Sequence, residues 1–323
     1  MNKLRELKNE SLRRTFLILA VIMMALLALL FFWVLRESHE QQARLELLRE
    51  EALPLERQRE TLLRELTALS QTPEETVAPP ATEQLLVSEL DETLYTQLYP
   101  LMRQRGFSGI MGLTLGGLPG ADKKINFDQF NDLLTAGWGC CLVFNSGYDF
   151  DQWYETLNGW ILEVGLTRPD VVYFHNGDWS AEMALKLQQY GFKTAVHHGE
   201  EQTAPELYSC YARPWDFDSV VSVVDALAAN GGNAVFTVSF SGRDSDLFVE
   251  SNFSNMLNYI KTYADRGEYL FTSFAEGRAI QENPDVRRVA VETKIAAEQA
   301  FLETQINALD EQIHAIYMNW KIS

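Results

Sequence analysis

Cysteine is scarce in this chain. Cys140, Cys141 and Cys210 are the only three in 323 residues, too few for a disulfide scaffold, and no CxxC pair suggests structural zinc or a redox motif. Adjacent positions on a strand point to opposite faces, so Cys140 and Cys141 read as small core-filling thiols. Positive charge is also short. The balance of 27 Lys and Arg against 45 Asp and Glu leaves a net charge of −18. Such a field repels a phosphate backbone and excludes nucleic acid as an expected partner. The chain carries no nucleophile elbow, Walker loop or dinucleotide fingerprint. Apolar residues, by contrast, make up 46% of it and aromatics 11%, too much for a disordered polymer.

The apolar residues are unevenly placed. Phe16 to Leu35 runs without a charge or a proline, and twenty helical residues span about 30 Å, the thickness of a bilayer core. A cleaved signal peptide has a shorter apolar run and a small-residue cleavage site, whereas here Arg36, Glu37 and Glu40 follow at once. The reading is an uncleaved anchor, with Phe31, Phe32 and Trp33 at its interfacial end. The first fifteen residues carry a net charge of +3 and the remainder −21. The positive-inside rule therefore places residues 1–15 in the cytoplasm and the bulk outside.

Two heptad patterns flank the middle of the chain. Leu45, Leu48, Ala52, Leu55, Leu62, Leu66 and Leu69 follow an a/d alternation broken only by Arg59, and Pro54 marks an expected kink. Near the C-terminus, Ile295, Leu302, Leu309 and Ile316 form one row, and Ile306, Ile313 and Trp320 the other. The expected organisation is a transmembrane helix over 16–35, a coiled-coil stalk over 36–71 and an exposed Pro- and Glu-rich linker over 72–84. A head over 85–281 and a coiled-coil helix over 282–323 follow. An antiparallel pairing of the stalks would return Tyr317, Met318 and Trp320 to the bilayer. Pairing between chains, or docking of the helix on its own domain, are the alternatives.

The head alternates short β-rich runs with helical ones, which argues for parallel strands with helices outside. The expected strands are 85–88, 109–115, 140–144, 171–174, 194–197, 234–240 and 269–273.

Four stretches carry a family resemblance. LYTQLYPLMRQRGFSGIMGLTL (Leu94–Leu115), NFDQFNDLLTAGWGCCLVFN (Asn126–Asn145), VYFHNGDWSAEMALKLQQYGFKTAV (Val172–Val196) and FSNMLNYIKTYADRGEYLFTSFAE (Phe253–Glu276) resemble, in order, segments of the polysaccharide deacetylase, or NodB-like, family. The resemblance implies an α/β fold built as a deformed (β/α)7-type barrel. It also implies a bound divalent metal, usually zinc, and hydrolysis of N-acetylated sugars. In that family two aspartates follow the first strand, two histidines stand four apart, and a later histidine assists.

Laid on this chain, those positions fall on Ser88 and Glu89, on Val143 and Gly147, and near Ser239. Glu89 alone retains a donor, and one carboxylate does not hold zinc against water. The expectation is a degenerate site with no metal, in a membrane-anchored pseudoenzyme that binds cell-wall glycan or helps assemble an envelope complex, with self-association or an envelope protein engaged through the coils. Candidate ligand-binding residues at strand ends are Glu89, His175, Asp178, Trp179 and His197. Of the adjacent His197 and His198, only one can face the mouth. Asp91, Asp149, Asp151 and Glu200 are further polar groups there. Trp153, Trp160, Trp179 and Trp215 are candidate sugar-stacking rings, Trp179 foremost. An active N-deacetylase with zinc or another divalent metal on non-standard ligands is the alternative, and a coiled-coil structural subunit is another.

Overall fold

A computed structural model describes residues 2–175, 179–199, 207–240 and 248–318, with backbone alone through residue 18 and at residue 20. The chain divides into two units: one spans residues 69–301, and the other combines residues 1–68 with those from 302 onward.

Helix α1 (Asn2–Gln71) opens the chain. It is long and apolar enough to cross a membrane near its N-terminus, and none of the described apolar side chains there is buried. The barrel unit then follows in the order β1 (Ala81–Val87), a π-helical turn (Leu94–Leu98), α2 (Tyr99–Arg103), β2 (Ile110–Leu113), α3 (Phe127–Thr135), β3 (Gly139–Phe144), α4 (Phe150–Glu163), β4 (Val171–Phe174), α5 (Ala181–Gln189) and β5 (Thr194–His197). It continues through β6 (Tyr208–Pro214), α6 (Phe217–Asn230), β7 (Gly232–Val238), α7 (Glu250–Ala264), β8 (Tyr269–Phe271), α8 (Phe274–Glu282) and the start of α9 (Pro284–Met318).

Strands β1 to β7 pair in parallel around a closed hoop, since β7 pairs with β1 and β1 with β2. Parallel neighbours need long crossovers, and helices supply most of them. The expected seven-stranded α/β barrel is thus present, but its membership differs. Tyr208–Pro214, absent from the expected strands, is β6. The expected last strand is β8, an eighth strand outside the hoop. It shares an edge of β1 with β2: Leu86 and Val87 pair with Ile110 and Met111, whereas Ala81–Glu83 pair with Tyr269–Phe271.

The strands are buried on both faces. Leu86, Val143, Tyr173, Val196, Cys210 and Ala212 belong to the cluster inside the barrel. The alternate residues, among them Leu85, Leu142 and Phe174, pack outward against the helices. Two apolar faces explain why these strands read as continuous hydrophobic runs. Cys141 is wholly buried, and burial pushes the Cys140 thiol up to about 12; both are inert at neutral pH.

Helix α8 closes the end of the barrel formed by the strand N-termini. Ser273 and Glu276 form a capping box at its start, Phe274 enters the interior cluster, and Gly277 lies so close that a Cβ there would stand 2.5 Å from Gln84 Nε2.

The linker expected over 72–84 is shorter. Pro79 and Pro80 are buried, and the chain enters β1 at Ala81. Thr82, Glu83 and Gln84 are polar yet buried, so composition pointed to solvent. Thr82 bonds Asn233, Glu83 bonds Tyr269, and Gln84 bonds Thr272. Each thus has a partner that offsets part of its burial, although Glu83 Oε1 and Gln84 Oε1 have none among the described residues.

In the other unit, α1 and the end of α9 pair within the chain. Arg59 Nε meets Asp310 Oδ1 at 2.5 Å, and the Tyr317 hydroxyl donates to Glu56 Oε1 at 3.1 Å. Residue numbers rise on one helix as they fall on the other, so the pair is antiparallel. Ala52, Leu302, Ile306 and Leu309 are buried and Leu45 is exposed, and α1 runs through Pro54 without the expected kink. Tyr317 pairs with Glu56, about 30 Å of helix beyond Leu35, and not with the apolar run. The reason lies in α9, whose first half belongs to the barrel unit: Lys294 Nζ bonds the Ala78 carbonyl at 3.1 Å. Only residues from Leu302 onward remain for the hairpin. Trp320 lies outside the described residues.

Candidate functional site

The C-terminal ends of parallel barrel strands form a mouth, where loops gather polar side chains around a packed interior. Here that mouth holds a cavity of about 180 Å³ lined by Ser88, Glu89, Thr114–Gly117, Lys124, Val143, Asn145 and His175. Three positions that the resemblance assigns to chemistry, 88, 89 and 143, therefore share one cavity with His175.

Their side chains do not make a zinc site. Ser88 is buried and donates to the Val238 carbonyl at 3.2 Å. Val143 is 2% exposed and faces the interior. Gly147 sits in the β3–α4 loop, with nothing near the place of its absent side chain. Ser239 is buried just beyond β7. Among the described residues, no three His, Cys, Asp or Glu side chains converge.

Most carboxylates around the mouth have structural work. Asp149 caps α4 through the amides of Asp151 and Gln152. The Tyr190 hydroxyl and the Lys186 ammonium bind Asp151 and hold its carboxyl below the ordinary range. Asp91 faces Lys124 at 3.7 Å. Asp178 and Glu200 lie outside the described residues.

The histidines are sorted by strand phase. His197, expected to face the mouth, points outward from β5. It is 1% exposed, hydrogen-bonds Gly199 O and Ser209 Oγ, and stacks on Trp179 at 4.9 Å with rings 11° apart. His198 takes the inner side instead. Its Nδ1 donates to the Ala212 carbonyl at 2.9 Å, which leaves Nε2 to accept from the Tyr173 hydroxyl at 2.7 Å. With its proton so committed, the Tyr173 oxygen accepts from His175 Nδ1 at 3.2 Å.

The tryptophans follow the same logic. Trp179 is 8% exposed, with His197 on its face and Phe174 beside it, so it offers no open ring to a sugar. Trp153 and Trp215 are buried, and Trp153 Nε1 donates to the Val143 carbonyl. Trp160 is half-buried and stacks on Phe127. Two exposed rings are Tyr148, 48% exposed in the loop after β3, and Tyr211, 50% exposed beside His198.

Sequence reasoning missed Tyr148, Thr114, Lys124, Asn145 and Tyr173. Only Tyr173 left a signal: it stands two residues before His175, and period-two spacing puts both on one face of a strand. Neither a scan of the chain against protein-family models nor a search of curated proteins finds a match.

Proposed function

We propose that this chain is a membrane-tethered, deacetylase-like barrel that binds a carbohydrate at its mouth without hydrolysing it. The observation that carries this reading is the cavity itself. It lies where the resemblance to polysaccharide deacetylases places the metal, yet Ser88, Glu89 and Val143 line it in place of the ligand set. Thr114, Asn145 and His175 offer hydrogen-bonding groups to sugar hydroxyls, and Tyr148 offers an exposed ring for the apolar face of a pyranose. The N-terminal excess of basic residues sets the tail in the cytoplasm and the barrel in the cell envelope. Cell-wall glycan is then the carbohydrate at hand.

The test is retention of the detergent-solubilised chain on peptidoglycan and on N-acetylated chito-oligosaccharide beads, with deacetylation followed in parallel. Retention that falls several-fold in Tyr148→Ala, with no acetate released, supports the reading. Acetate release that is lost in Glu89→Ala makes the protein an active deacetylase. Retention unchanged by Tyr148→Ala and Asn145→Ala removes the mouth as the glycan site.

A further inference from the structure

We propose that Tyr173, His175 and His198 form a binding site for a divalent first-row transition metal, with copper(II) as its tightest occupant. The site stands on the ends of β4 and β5 and adjoins, through His175, the cavity that positions 88, 89 and 143 also line.

Spacing is the first indication of a metal site. Ligand atoms bonded to one metal at about 2.0 Å stand roughly 2.8–3.3 Å from each other. The Tyr173 oxygen is 3.2 Å from His175 Nδ1 and 2.7 Å from His198 Nε2. The phenol oxygen thus stands within, or just under, ligand-to-ligand separation of each imidazole nitrogen. Orientation supports the same conclusion. A metal-binding histidine characteristically gives its other N–H to a backbone carbonyl, which fixes tautomer and ring angle, and His198 Nδ1 does so to Ala212. Both imidazoles stand edge-on to the Tyr173 ring, with centroids 5.7 and 5.6 Å away. Tyr173 is wholly buried, so the back of the site is closed. His175 lines the mouth cavity, so the site meets that cavity on the His175 side.

Loading the site balances simply. The Tyr173 hydroxyl loses its proton to solvent, the His175 proton moves from Nδ1 to Nε2, and three donor pairs bind the cation with small pivots of the rings. No electron is transferred. Imidazole nitrogen and phenolate oxygen suit copper(II), which also heads the stability order for such donors.

The experiment titrates the full-length chain in detergent with copper(II) alone, against a competing chelator, and reads visible absorption and electron paramagnetic resonance. One equivalent is expected, with hyperfine coupling from two imidazole nitrogens and a phenolate-to-copper charge-transfer band. His175→Ala and His198→Ala should each weaken binding more than tenfold. Tyr173→Phe should keep the nitrogen coupling and lose the band. A His39→Ala/His314→Ala variant should bind as the parent does. Circular dichroism checks that each variant is folded, and the near-isosteric Tyr173→Phe decides the matter if a histidine variant is not. Binding undiminished in His175→Ala/His198→Ala, or a charge-transfer band that survives Tyr173→Phe, overturns the site. So does failure of the parent chain to take up copper. Glycan is absent from every arm, so this outcome is read separately from the carbohydrate proposal.

Discussion

The Tyr269 hydroxyl donates a 2.7 Å hydrogen bond to Glu83 Oε2 in a wholly buried setting, and Glu83 Oε1 has no hydrogen-bond partner among the described residues. Burial pushes the Glu83 carboxyl up to about 8, only partly opposed by the Tyr269 hydrogen bond. In the unfolded chain the same group titrates at its ordinary value of 4.5. The folded state therefore holds a proton that the unfolded state releases. The stability this gives is complete below pH 4.5 and drains away as pH rises toward 8, by at most about 1.4 kcal/mol per pH unit. Replacing Glu83 with Gln should flatten that slope and leave the variant more stable than the parent at pH 8. Urea denaturation at pH 5 and pH 8 measures both. An unchanged slope would mean that the carboxyl is not the titrating group.

Close approach of three strands depends on Gly112. A Cβ there would stand 2.7 Å from Val143 Cγ2 and 2.9 Å from the Val87 carbonyl. Gly112→Ala should cost about 1–3 kcal/mol through overpacking, read as a lower denaturation midpoint. A neutral result would show that β1 and β3 yield more readily than their packing implies.

Restoring the family's donors offers a gain-of-function test of the resemblance. The Val143→His/Gly147→His variant would add one imidazole at the cavity that Glu89 lines and a second in the β3–α4 loop, the donors that the resemblance calls for. One zinc per chain by atomic emission, dependent on Glu89, is the expected result. An empty double variant that is still folded would separate this mouth from the family's metal geometry.

The hairpin makes its own prediction. Glu56→Cys combined with Tyr317→Cys, treated with a short thiol cross-linker, should give a faster-migrating monomer on denaturing gels. A covalent dimer as the main product would put the antiparallel pairing between chains. The Arg59–Asp310 pair is roughly two-fifths exposed on each side, so Asp310→Ala should cost under about 1 kcal/mol in thermal unfolding.

What could be read without coordinates follows from how local each signal is. The stalk seam was legible because a heptad needs only neighbours along one chain, and Leu302, Ile306 and Leu309 are buried as their spacing implied. The alternation of strands and helices was equally plain. β6 was not, since YSCYARP ends in proline and carries a half-exposed Tyr211, which reads as a loop. The start of β1 hid behind Thr82, Glu83 and Gln84, whose partners Asn233, Tyr269 and Thr272 are distant in sequence. At the site, Glu89 and His175 were found by position alone. The choice between His197 and His198 turned on strand phase, which a strand apolar on both faces does not reveal.

One feature of β1 reaches beyond architecture. Its upper end is joined to β2 through only Leu86 and Val87, while its partnership with β7 runs the full length of the strand. The ring is thus fastened by its shortest stitch at the place where Ser88 and Glu89 face Thr114–Gly117 across the cavity. A molecule held in that gap would touch both sides of the stitch and act as a buckle. The amide proton of Ile110 should then exchange faster than those of β7 in the empty protein, and slow markedly once the gap is filled.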